Sequence, residues 1–367
     1  MSKSTSFFLD LLRVAAAFLV FVVHCTNFWC PAVFPFMARL GHGAVIVFFV
    51  LSGYVIAYST LSRAQKLKDY VVARLSRLYS VVIPALLLTA VLQVFGTATG
   101  SPIYTGLHPG FDAVRYALAS VFLQNIWHLS ASPSSNSPLW SLGYEFWYYV
   151  LFGVALFTRS TSQKVILLLI VSLIVGPNIL LLLPCWGLGV LLYLVQGRML
   201  IRKYTALVGF LFFSGLMIQT IVFLQYFPYG VGHKPLIYSG AFVSDFIKAL
   251  LVSLTIFFFD RAFHSVNLAP TIQSAVRFGS DHTFSLYLYH YPMIAFVTAI
   301  NLVTPASPNW KKLFFAAVIL SLVILFSTFT EAKRGVWRRF FSRSWDFCPL
   351  SQAEKAILAN NSKPDEI

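Results

Sequence analysis

The chain has 367 residues, of which 58% are hydrophobic, 17% aromatic and only 11% charged. About a quarter of the residues in a soluble domain are charged, so this composition excludes a water-soluble globule and specifies an integral membrane protein. The formal charge of +15 does not mark a nucleic-acid binder, because the basic residues fall between apolar stretches.

Stretches able to span a bilayer as helices lie near residues 7–28, 42–60, 78–97, 139–158, 163–177, 178–195, 204–226, 240–259, 283–301 and 313–332. The expected fold is an all-α polytopic membrane protein of about ten transmembrane helices, with residues 1–345 forming the membrane domain. Residues 346–367 are then a short, mixed-charge cytoplasmic tail. The fifth and sixth stretches are short and share the break "GPNILLLLP", which predicts a tight pair. An even number of crossings puts both termini on one side. With that side cytoplasmic, twenty of the 27 basic residues fall in inner loops and tails. Five (Arg39, Arg115, Lys234, Lys311 and Lys312) fall outside, a strong positive-inside bias. In the outer connection, "FDAVRYALASVFLQNIW" has helical apolar spacing beside Asp112 and Arg115 and is expected to lie in the outer interface. Asp10 and Arg13 interrupt what would be a signal-peptide core, so no cleaved leader is expected. Cys25, Cys30, Cys185 and Cys348 lack metal-ligand spacing; Cys25 and Cys30 are spaced so that they could pair, but free thiols are expected.

Charged and polar residues inside these stretches are the candidates for chemistry, since charge at membrane depth is costly. Arg13 and His24 are eleven positions apart in the first stretch. At ~100° per residue they fall within ~20° of one face, ~16 Å apart along the axis. Arg13 is then near the inner surface and His24 near the outer. Snorkelling of each to its own interface is the plain alternative. Small residues in "GHGAVIVFFVLSGYVIAY" permit close helix packing. Ser52 in that stretch is a nucleophile only if a base lies beside it. Arg74 and Arg77 share a face, suited to anionic lipid or to a bidentate phosphate clamp. Glu145, within "NSPLWSLGYEFWYYVLF", is read at a depth comparable with His24, where it either hydrogen-bonds structurally or orients a histidine base. Trp140 and its aromatic neighbours form an interfacial belt or stack on sugars. His290 in "HTFSLYLYHYPM" lies mid-membrane, and Asp245 and Lys248 form an internal ion pair.

Taken together, these blocks resemble the acyltransferase-3 family of integral membrane O-acyltransferases. The resemblance rests on "RVAAAFLVFVVH" preceded by Asp10, "FFVLSG", the Arg74–Arg77 pair, "WSLGYE" with Asn136 upstream, and "YLYHYP". It implies transfer of an acyl group, usually acetyl from cytoplasmic acetyl-CoA, to a hydroxyl of a glycan or glycolipid on the outer side. It further implies that His24 is the base and that Glu145 supports it or the acceptor. Arg13, Arg74 and Arg77 would bind acyl-CoA, and Asn136, Trp140 and His290 would serve the acceptor. Acetyl-CoA would be a substrate rather than a resident cofactor, with no metal or nucleic acid involved. The expected setting is a bacterial inner membrane. Many members carry a further C-terminal hydrolase-like domain, whereas this chain ends soon after its tenth stretch. That likens it to compact members acting on exopolysaccharides, O-antigens or lipochitin nodulation signals, with a lean towards nodulation signals or exopolysaccharide. The rival reading is a transporter or flippase of a lipid-linked or amphiphilic glycan, using Arg13, Glu145 and His290 as a path. The absence of internal repeats in the sequence argues against it.

Overall fold

A computed structural model describes residues 2–105, 109–199, 201–264 and 269–346; Cys348 and the rest of the expected tail from 347 onward lie outside them. All regular structure among the described residues is helical. The first three helices are α1 (Lys3–Trp29), α2 (Phe34–Leu61) and α3 (Leu67–Thr97). The outer connection contributes α4 (Pro102–Thr105) and α5 (Pro109–Ser120), followed by α6 (Trp140–Phe157) and α7 (Thr161–Gln196). Then come α8 (Lys203–Phe223), α9 (Phe242–Phe263), α10 (Pro270–Asp281), α11 (Thr283–Ala299), α12 (Asn309–Phe329) and α13 (Arg334–Asp346). Among the described residues, seven helical segments are long and apolar enough to cross a membrane. The ten apolar stretches fall on α1, α2, α3, α6, α8, α9, α11 and α12, with two more on α7.

The break within α7 has a local cause. Gly176 adopts φ 73° and ψ −176°, a conformation restricted to glycine, and Pro177 follows it without an amide hydrogen. The second half then runs beside α6 in the same direction: Tyr148 donates to the Ile179 carbonyl (2.9 Å) and Phe152 packs on Trp186 (5.7 Å). Leu167 of the first half lies beside Phe157 at the far end of α6, so the chain reverses at Gly176.

Glycines also set the α2–α7 crossing. A Cβ on Gly53 would stand 2.1 Å from the Trp186 carbonyl oxygen, and one on Gly189 would stand 2.0 Å from that of Val50. The two backbones touch, the close approach that small residues in this stretch allow. The Asp245–Lys248 ion pair forms (3.2 Å), both residues fully buried, and His42 of α2 joins it at 2.7 Å from Asp245. Among the described residues, Cys25, Cys30 and Cys185 are free thiols.

The outer connection departs from its expected place. Gln93 donates to Asp112 (2.8 Å), Tyr116 to Gln93 (2.9 Å) and Tyr79 to the Ser120 carbonyl (3.0 Å). Helix α5 therefore descends along α3 instead of lying flat. The chain then turns at Phe122, which stacks on Phe146 at 4.5 Å and accepts from the Trp147 indole at 3.0 Å. Gln93 satisfies Asp112 from within the protein, and irregular backbone at this depth is stable because protein encloses it. Two amphipathic helices, α10 and α13, complete the structure; Trp337 and Phe341 of α13 pack on Tyr79 of α3.

Candidate active site

Helices α1, α2, α3, α6 and α11 enclose a cavity of about 50 Å³ lined by Arg13, Ser52, Arg77, Glu145, Thr283 and Tyr287, among others. This is room for roughly four waters or a small acyl group. Ser52 donates to Glu145 Oε1 (2.6 Å), Tyr149 donates to the same oxygen, and the Trp186 indole donates to Ser52 Oγ (3.2 Å). The serine identified as needing a neighbouring base thus has a carboxylate in contact.

Arg13 donates to Asp10 (3.5 Å) and Ser280 (3.2 Å), and Ser280 donates to Asp10 (2.9 Å). The charges it faces are Arg77, Asp10, Glu145 and Glu331. Arg77 lies with its guanidinium over the Phe284 ring at 5.7 Å. Two guanidinium groups beside one enclosed space, with carboxylates balancing them, suit an anionic or strongly polar guest. Arg74 parts from this pair. It donates to Ser59 (3.2 Å) and lines a separate apolar groove of about 470 Å³ with Tyr70, Tyr149 and Phe146. Tyr149 borders that groove while its hydroxyl binds Ser52 and Glu145, so it separates Arg74 from the cavity. Because α3 begins at Leu67 rather than near 78, both arginines are carried within the helix.

His24 lies nearer the C-terminal end of α1. Its ring packs against His290 (5.2 Å between centroids) and against the edge of Tyr291 (4.9 Å). Since Arg13 contacts Ser280 and His24 contacts His290, both face the α10–α11 side, as their spacing predicts. His290 is fully buried; its Nδ1 lies 2.6 Å from the Leu286 carbonyl, and its Nε2 has no partner among the described residues. His24 Nδ1 is likewise buried without a partner among the described residues. Tyr287, at the outer end of the cavity, is one turn below His290, ~5 Å along the helix.

Glu145 is not brought to His24. Phe48 meets Tyr287, and Ser52, which binds Glu145, is one turn further in. Glu145 therefore sits about two turns, ~11 Å, from the histidines, towards the Arg13 end of the bundle. A straight segment beginning near 139 would put it level with His24. The preceding connection instead dips into the bundle and delivers α6 deeper. Asn136 donates to Thr89 (2.9 Å) and the Leu288 carbonyl (3.0 Å). Trp140 is stacked on Tyr238 (4.5 Å) and is only 6% exposed. Both sit in packed positions outside the cavity lining. Glu331, which accepts from the Ser285 amide and hydroxyl, has no signal in the sequence, and Tyr149 reads there only as one of the aromatic neighbours of Trp140. Tyr149 had a legible signal, standing four residues after Glu145 on the same helix face.

An acyltransferase domain family matches residues 6–331. An "O-acetyl transferase" of Shigella phage Sf6 is 30% identical over 179 residues, 47% of this chain and 51% of that protein. The chain thus spans about half the length of the curated relative it matches. No solved structure matches the chain. The family match takes in Asp10, Arg13, His24, Ser52, Arg77, Glu145, His290 and Glu331, so the cavity and the histidine pair belong to one matched domain. The chain belongs to the acyltransferase-3 family.

Proposed function

We propose that this protein is a multi-pass O-acetyltransferase of a bacterial inner membrane that moves acetyl from cytoplasmic acetyl-CoA to a sugar hydroxyl of an exported or surface glycan. The observation that carries this reading is one buried polar column. Arg13, Arg77, Ser52 and Glu145 share a cavity whose outer end is one turn from His24 and His290. The positive-inside bias directs the arginine end towards the cytoplasm and the histidine end outward. Arg13 and Arg77 orient the donor's polar arm. His24 takes the proton of the acceptor hydroxyl, whose oxygen attacks the thioester carbon. The C–O bond forms as the C–S bond breaks, and the proton leaves on the CoA thiol. Glu145 balances the arginines and holds Ser52 and Tyr149 in place, rather than assisting His24 directly.

The test is transfer from labelled acetyl-CoA to host glycan by purified protein in liposomes. Wild type transfers label, and His24→Ala inserts and accumulates normally yet transfers none. Retained transfer by His24→Ala would remove the assigned base, and no transfer by wild type from acetyl-CoA alone would remove the donor. The Ser52–Glu145 bond favours a second reading, in which Ser52 Oγ attacks the thioester carbon as the C–S bond breaks, its proton passing through Glu145 to the leaving CoA thiol. The acceptor hydroxyl then takes the acetyl from Ser52 as its own proton restores the serine hydroxyl. An acetylated Ser52 peptide trapped by rapid quenching, lost in Ser52→Ala, would select that route.

A further inference from the structure

The histidine pair has more hydrogen-bonding capacity than one acceptor hydroxyl can use. A carbonyl oxygen only accepts, so the 2.6 Å contact of His290 Nδ1 with the Leu286 carbonyl places the ring hydrogen on Nδ1. Nε2 then carries a lone pair: fully buried, without a partner among the described residues and able only to accept in the neutral ring. The adjacent ring of His24, 5.2 Å away between centroids, presents a second buried and unpartnered nitrogen. A hydroxyl undergoing acylation has one proton, and the base consumes it. His290 Nε2 therefore needs a second donor within a few ångströms of the first. In a sugar, that donor is the hydroxyl on the neighbouring ring carbon.

We propose that His290 is a positioning residue that accepts a hydrogen bond from the hydroxyl next to the one acylated. The acceptor is then a sugar with vicinal hydroxyls, and His290 sets which of the two is modified. The assignment rests on the O-acetyl transfer with His24 as base proposed above. A buried acceptor left without its donor strongly disfavours a substrate that cannot supply one. His290 thus selects for the diol and holds it in a single orientation.

The test is the position of the ester, read by NMR on surface glycan isolated from cells expressing wild type, His290→Ala and His290→Gln. Wild type places the ester on one hydroxyl that has a hydroxyl neighbour. His290→Ala loses on the order of ten-fold in total ester and spreads the remainder over both hydroxyls. His290→Gln, whose side-chain carbonyl restores an acceptor, keeps the wild-type position. The assignment is overturned by an unchanged single position in His290→Ala, by equal loss in both variants, or by a wild-type ester on an isolated hydroxyl. Absence of ester from wild type would instead refute O-acetyl transfer itself, so the two failures are distinguishable.

Discussion

Replacing Gly53 by alanine tests whether the α2–α7 contact holds the cavity in register. The new Cβ would lie 2.1 Å from the Trp186 carbonyl oxygen. A normal carbon–oxygen contact is about 3.3 Å, so the helices must part by roughly 1.2 Å. A gap of this size forfeits about half or more of the dispersion energy along the crossing, and overpacking of this kind costs about 1–3 kcal/mol. The displacement reaches the site, because Trp186 also donates to Ser52, and Ser52 to Glu145. An ~1 Å shift in positioned groups costs about 100-fold in rate. Gly187 is the internal control: on the same helix, a Cβ there meets nothing within 4 Å. Gly187→Ala should be neutral or gain up to ~1 kcal/mol from helix propensity. The assay is a thermal melt in detergent by tryptophan fluorescence, paired with acetyl transfer at matched protein levels. Gly53→Ala should melt lower and lose about 100-fold in transfer. If Gly53→Ala melts and transfers like Gly187→Ala, the backbone contact does not position Ser52.

Two further outcomes concern the frame around the site. Asp245→Asn leaves Lys248 charged and fully buried, and should destabilise the protein by about 3–5 kcal/mol. The double change Asp245→Asn with Lys248→Met should recover most of that loss, measured as inserted, monodisperse protein after extraction. Gly176→Ala must hold a Cβ at φ 73° and 2.8 Å from the Trp127 Cα, so it should cost about 1–3 kcal/mol and expose the turn between the α7 halves to proteolysis.

Much of the frame was legible before any coordinates. Hydropathy located the helices, and the ~3.6-residue period put Arg13 and His24 on one face. Both contact the α10–α11 side in the structure. The spacing of Asp245 and Lys248 forecast their ion pair, because an i, i+3 relation is local. His42 joins that pair from another helix, and no local rule connects residue 42 with residue 245.

Depth and partnership were decided by packing. A straight segment puts Glu145 level with His24, either as a structural hydrogen-bonder or as support for a histidine base, whereas the dipping connection sets α6 lower and hands the carboxylate to Ser52. Arg74 and Arg77 share a helix face in sequence but line different spaces, Arg77 the cavity and Arg74 the groove bordered by Tyr149 of α6. The chain alone thus determined which residues are apolar, which charges the bilayer must tolerate and which side chains share a helix face, since these follow from composition and a fixed helical period. Only the tertiary structure determined that Ser52 meets Glu145 and His24 meets His290, because those pairs depend on how independent helices are set in depth against one another.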